Sequence, residues 1–299
     1  MTDQQPWTIK RLLDWTTEHF QVHERDTPRL CAEILLAESL DCQRIELYTQ
    51  FDRVPEEQPL GLYRDWVKRH AKGEPVAYLV GHKEFYSLRF QVDSNVLIPR
   101  PETEHLVIAG IDAAKSLGKE RVRILDIGTG SGCVAITLAK QIENCEVVAT
   151  DISPDALNVA KSNAAALGVE DRVSFIESDL FGSIPSDFQA DIIVSNPPYV
   201  GNGEVNDVDI SVREFEPSLA VFAGESGTEI IERLVADSAS FLEPGGFLIF
   251  ETSPVIFDRC LEITSGANCY SSPVTIRDLA GHRRIVQTQL QPEPEGAVQ

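Results

Sequence analysis

The sequence predicts an α/β protein: a doubly wound, mostly parallel sheet of seven strands, preceded by a small helical bundle and a β-hairpin connector. Three observations lead there. From residue 121 onward, short apolar runs alternate with segments of helical periodicity, the pattern of strand–helix–strand units. Residues 1–75 carry only helical spacing. Between these parts, residues 76–98 switch to an apolar/polar alternation expected of strands.

The first part reads as a helical domain that would dock a partner. Ile9, Leu12, Leu13 and Phe20 recur at helical spacing. Thr27-Pro28 reads as a cap followed by a first-turn proline, opening a helix through Leu30, Ile34 and Leu35. Residues 44–51 and 60–71 read as two further helices. Trp7, Trp15 and Trp66 are expected to fill the core of this bundle. In the connector, Tyr78–Gly81 and Phe85–Val92 read as strands.

The remaining chain, 99–290, is expected to be the chemical domain, with a disordered Pro/Glu/Gly-rich tail at 291–299. Its opening, Pro99-Arg100-Pro101-Glu102-Thr103-Glu104, is extended before each proline. It then begins a helix with acids favourably placed in the first turn. Arg100 and the two glutamates fit that helix start as well as they fit a site. Strands are expected at 122–126, 146–151, 173–177, 191–195, 247–251, 274–276 and 284–288, and helices near 132–141, 154–166, 227–242 and 254–264. The last two strands lack an intervening helix and are expected to pair as a hairpin at one sheet edge. Ligands of such sheets bind outside the carboxyl ends of the strands, so Asp126, Asp151, Asp179 and Asn196 are expected on one rim.

Composition narrows the function. The 299 residues carry 47 Asp+Glu against 26 Lys+Arg, a formal charge of −21. Phosphate contacts need Lys and Arg, so a site on naked nucleic acid is disfavoured. The acidity suits a cationic small molecule or a basic protein partner, or serves solubility. The 6 cysteines form no C-x-x-C pair and match no zinc spacing, so no metal site is expected and a reducing compartment is. No apolar leader and no stretch of about 20 apolar residues is visible. The expectation is a cytoplasmic monomer that does not enter a membrane.

Two motifs carry the chemistry. Asp126-Ile127-Gly128-Thr129-Gly130-Ser131-Gly132 lies between a strand and a helix. A dinucleotide loop wants G-x-G-x-x-G, and here Cys133 stands at the third glycine position. The acid ahead of the loop would repel a pyrophosphate but could bind the ammonium of an amino acid. The loop therefore looks like a site for S-adenosylmethionine, whose methionine end is zwitterionic. Asp151 could take ribose hydroxyls and Asp179 the adenine amino group, with Leu180 covering the ring; both acids also fit helix capping. The second motif, Ser195-Asn196-Pro197-Pro198-Tyr199, follows an apolar strand. Prolines cannot continue a ladder, so a stiff loop must follow. It offers the Asn196 amide, unpaired backbone carbonyls and the Tyr199 ring, a set suited to a planar group bearing NH2.

The two motifs together resemble the class I methyltransferases that act on planar nitrogen. More closely, the chain resembles the release-factor glutamine methyltransferases, from its N-terminal helices to about residue 289. The most specific pieces are Glu84-Phe85-Tyr86 with Phe90-Gln91-Val92, Leu97–Glu104, Asn196–Tyr199 and Val212-Arg213-Glu214-Phe215-Glu216-Pro217. The resemblance implies methyl transfer from S-adenosylmethionine, leaving S-adenosylhomocysteine, to the glutamine amide in the Gly-Gly-Gln loop of peptide release factors. It also implies that Gly128 to Gly132, Asp151 and Asn196 hold the cofactor, with Asn196 to Tyr199 on the glutamine. Arg100 and Glu102 join the expected substrate contacts. Leu180 stands where family members often carry Trp. Rival readings are glutamine methylation of a ribosomal protein, adenine-N6 methylation of nucleic acid, a cofactor-binding scaffold without turnover, and an oxidoreductase.

Overall fold

The computed structural model describes residues 6–292 and divides into two compact units. One is the chain up to His82 together with Ile210–Phe215; the other is Lys83–Asp209 together with the chain from Glu216 onward. The expected disordered tail lies, from residue 293, outside the described residues.

The first unit is helical: α1 (Ile9–Val22), α2 (Pro28–Ser39), α3 (Arg44–Thr49), α4 (Glu57–Ala71) and α5 (Val76–Val80). Ile9, Leu12, Leu13, Thr16 and Phe20 form the buried stripe of α1. Trp15 lies well off that stripe at 100° per residue, which is why it is 47% exposed and stacks on His19 rather than filling the core. Trp7 is also exposed, beneath the Arg11 guanidinium, and only Trp66 packs on the apolar cluster. Thr27 makes no side-chain cap; it takes φ +45° in the tight link between α1 and α2, leaving Pro28 alone to start the helix. Tyr78–Val80 is helical, not extended. Pro75 precedes this five-residue helix and Gly81, at φ +78°, ends it, and so short an apolar run does not reveal its period.

A hairpin follows, β1 (His82–Phe85) and β2 (Leu88–Gln91), and then α6 (Glu104–Leu117). The main fold continues as β3 (Val122–Ile127), α7 (Cys133–Gln141), β4 (Cys145–Asp151), α8 (Pro154–Ala166), β5 (Val173–Glu177) and β6 (Ala190–Ser195). Short pieces follow: β7 (Val200–Gly201), α9 (Ile210–Phe215), α10 (Ser218–Val221) and β8 (Phe222–Gly224). The last elements are α11 (Glu229–Ser238), β9 (Leu242–Glu251), α12 (Phe257–Gly266), β10 (Val274–Arg277) and β11 (Arg283–Gln289). Seven strands run in the order β10-β11-β9-β6-β3-β4-β5. The five from β9 to β5 are parallel, and β11 runs antiparallel to both neighbours, the expected edge hairpin. β9 starts earlier than its apolar run because Glu243-Pro244-Gly245-Gly246 joins through an irregular register.

The central strands are buried on both faces, which is why they read as continuous apolar runs. One face packs with α6, α7 and α8, the other with α11 and α12. Register places the site. Ile127 lies opposite Thr150 and Ser195, and Ser195 lies opposite Phe250. The residues just beyond, Gly128, Asp151, Asn196 and Glu251, therefore share one rim. Among the described residues no helix is long and apolar enough to cross a membrane.

Candidate functional site

The backbone N–H groups of the glycine loop tie it to the end of β4 and to itself. Gly128 and Thr129 N–H donate to the Thr150 carbonyl at 2.9 and 2.8 Å, and Gly130 N–H to Asp151 Oδ2 at 2.8 Å. Gly132 N–H closes onto the Thr129 carbonyl at 2.9 Å. A pyrophosphate cradle needs such groups free; here they are spent, which argues against a dinucleotide. Gly132 is needed for close packing: a Cβ there would lie 2.7 Å from Ile136 Cδ1 and 3.2 Å from Ala160 Cβ, at φ +80°. Around Gly128 and Gly130 there is open space. They border a cavity of about 290 Å³ that Thr129, Ser131, Asp126, Asp151, Asp179, Leu180, Asn196 and Arg100 also line.

Asp126 turns one oxygen onto the loop, accepting from Thr129 Oγ1 at 2.7 Å and Ala135 N–H at 3.2 Å. Its burial pushes the carboxyl up to about 7, with the Asp151 charge adding to the effect. Asp151 uses both oxygens, on Gly130 and Ser153 N–H, and burial raises it too. Capping of α8 falls to Ser153, not Asp151. Asp179 lies beyond β5, exposed and paired with Arg233 of α11 at 3.0 Å; no helix follows for it to cap. Leu180 borders the cavity at φ +49°, where few non-glycine residues sit. Ser131 Oγ is buried with no partner among the described residues, so the wall keeps one polar atom for a ligand.

On the opposite wall, Asn196 and Pro198 face the cavity. Asn196 Nδ2 donates to Thr103 Oγ1 at 3.2 Å. Pro197 is buried, and Tyr199 packs on the apolar cluster beneath the sheet rather than lining the cavity. Burial raises the Tyr199 phenol well above its usual range. Arg100 lines the cavity while pairing with Glu216, which also accepts Ile98 N–H at 3.0 Å. Glu102 is half-buried and off the cavity wall, and Glu104 instead accepts Tyr86 N–H in the hairpin turn.

Sequence reasoning missed Thr103, Glu216 and Glu251 as parts of this site. Glu251 ends a strand and is buried; the rule that picked Asp126 and Asp151 applies to it equally. Among the described residues no group of three or more His, Cys, Asp or Glu is placed to hold a metal.

Residues 11–81 match the model of the PrmC N-terminal domain, and residues 110–216 that of the methyltransferase small domain. A release factor glutamine methyltransferase of Rhodopirellula baltica is 49% identical over 286 residues, covering 95% of this chain and 97% of the relative. The chain belongs to the release factor glutamine methyltransferase family. Members from Koribacter versatilis and Vibrio cholerae are 43% and 34% identical, over 93% and 96% of this chain and 97% and 99% of theirs. Solved structures show the shared fold. A methyltransferase from Pyrococcus furiosus matches with TM-score 0.50 and 18% identity over 75% of this chain and 97% of its own. A 16S rRNA methyltransferase of T. thermophilus matches with TM-score 0.53 and 17% identity over 70% of this chain and 50% of its own. The seven-stranded sheet of this family member thus has the class I methyltransferase fold, and the candidate site lies at the carboxyl ends of its central strands.

Proposed function

We propose that this chain methylates the side-chain amide of the glutamine in the Gly-Gly-Gln loop of peptide release factors. The glycine loop, Asp126 and Asp151 would hold S-adenosylmethionine; open space at Gly128 and Gly130 and the unpartnered Ser131 hydroxyl fit such a group. That cofactor, when bound, supplies an electrophilic methyl on a sulfonium sulfur.

The observation that carries the reading is the Asn196 amide on the cavity wall with its NH2 already engaged by Thr103. Its oxygen is thereby left as an acceptor. An amide nitrogen is a weak nucleophile because its lone pair is delocalised. Asn196 Oδ1 and the Pro197 carbonyl would each accept one N–H of the substrate amide, orienting the nitrogen and stabilising the positive charge that grows on it. The proton then leaves to solvent once the nitrogen is alkylated and acidic, so no general base is required. Tyr199, packed on the core, would hold the loop rather than stack on the substrate.

The test is transfer of tritiated methyl to a release factor and to its Gln→Ala loop variant. Label on the glutamine of the first and none on the second is expected. Equal labelling of both refutes the proposal, and label on a ribosomal protein in place of the factor would favour the rival substrate.

A further inference from the structure

We infer that Arg233 of α11, aimed by Asp179, supplies one face of the base-binding end of the cavity, its guanidinium covering the flat ring of the cofactor's adenine. The inference rests on the reading above of the cavity as an S-adenosylmethionine site with the methyl group at Asn196. Arg233 and Asp179 both line the cavity. Arg233 Nη2 donates to Asp179 Oδ2 at 3.0 Å, joining α11 to the turn after β5. Ile230, three residues earlier in α11, also lines the cavity, so one face of that helix forms part of its wall.

Sheet order tells which end of the cofactor belongs here. β6, β3, β4 and β5 are successive neighbours. Asn196, Gly128, Asp151 and Asp179 therefore follow one another along the rim, with Asn196 and Asp179 three strand spacings apart, about 14 Å. With the methyl group at Asn196 and the ribose at Asp151, the base must lie toward β5. The turn there is pinned. Ser178 N–H donates to the Asp151 carbonyl at 2.9 Å. The buried Ser178 hydroxyl donates to the Leu180 carbonyl and accepts from Ser183 N–H, each at 2.9 Å. These bonds hold Leu180 at φ +49°, a conformation that a side chain adopts only at a cost.

A purine needs a polar partner at its edge and a flat or apolar one on each face. Leu180 and Ile152 offer aliphatic surface at this end of the cavity. Neither is planar or charged. A guanidinium is both, and it stacks on aromatic faces. The ion pair restricts where that plane can go. Among the described residues it engages Asp179 through Oδ2 alone, which leaves Oδ1 to accept from the amino group of the base. One carboxylate thus reads the ring edge and aims the cation at the ring face. Both side chains are about half exposed, so the pair itself adds little to folding and can adjust as the ring enters.

The test is calorimetric titration of the full chain with S-adenosylhomocysteine, with the melting temperature as control. Arg233→Met, of similar length but neither planar nor charged, is expected to weaken binding about fivefold to tenfold. Melting should not change, because the ion pair is exposed. Arg233→Lys keeps the charge without the plane and should recover only a minor part of the loss. Methylthioadenosine, which keeps the nucleoside and lacks the amino-acid end, should lose affinity by the same factor. In an Asp179→Ala background Arg233→Met should cost clearly less, since the cation is no longer aimed. Arg233→Met binding within about twofold of wild type, or more tightly, overturns the inference. So does full recovery in Arg233→Lys, a loss confined to S-adenosylhomocysteine, or additive losses in the double variant. A wild-type chain that binds no S-adenosylhomocysteine would instead sink the reading of the cavity itself.

Discussion

Gly227 is the position where a single methyl group would reach the site from outside it. It has φ +82°, and a Cβ there would lie 2.6 Å from the Tyr199 carbonyl oxygen and 3.1 Å from Gly201 N. Both are backbone atoms of the segment leaving Asn196–Tyr199, where Val200 and Gly201 pair with Phe222 and Gly224. Neither can rotate away. In Gly227→Ala, placing a side chain in the left-handed region costs about 1–2 kcal/mol. Forcing the overlap apart adds about 1–3 kcal/mol. The sum, about 2–5 kcal/mol, corresponds to roughly 5–15 °C in Tm for a unit of this size. Two other glycines separate the causes. Gly168 has φ +65° with nothing within 4 Å of a Cβ, so Gly168→Ala should show the conformational cost alone. Gly203 has neither a positive φ nor a near neighbour, so Gly203→Ala should be silent. Calorimetric melting of the three variants, with kcat for the first, provides the assay. If Gly227→Ala melts no lower than Gly168→Ala, or keeps full kcat, the contact does not hold the loop and the reasoning fails.

Other consequences can be measured in parallel. Asn196→Ala should cut kcat on the order of 100-fold; a near-normal kcat in the methyl-transfer assay would refute the orienting role of this side chain. Asp126 is raised from 3.8 to about 7, so the native state binds a proton that the unfolded chain has released between those values. Stability from this group is therefore fully present below about pH 4 and lost as pH rises through 7, by up to about 4 kcal/mol. Asp126→Asn should flatten urea-derived stability over that window; an unchanged slope would show that Asp126 is not the cause. Glu216 is buried and accepts both Ile98 N–H and the Arg100 guanidinium. Glu216→Ala should cost about 2–4 kcal/mol by leaving both donors unpaired, and should weaken cofactor binding because Arg100 lines the cavity. A variant with wild-type melting and affinity would contradict this.

Much of the fold is legible from local chemistry. Apolar runs of strand length, glycines after Ile127 and prolines after Asn196 place strand ends within a few residues, because strand burial and turn geometry are written in adjacent positions. Where the local signal is short, as at Tyr78–Val80, or concerns a helix face, as at Trp15, the reading goes astray. Strand alternation and the carboxyl-end rule also suffice to set Asp126, Asp151 and Asn196 on one rim. What these groups do there is not local. Thr103 meets Asn196 across 93 positions and Arg100 meets Glu216 across 116. Those pairings exist only because the sheet order sets β6 between β3 and β9, bringing Glu251 beside Asn196. Hydrogen-bond partners are chosen by distance in space, and it is the tertiary packing that turns a rim of polar residues into acceptors and donors of defined direction.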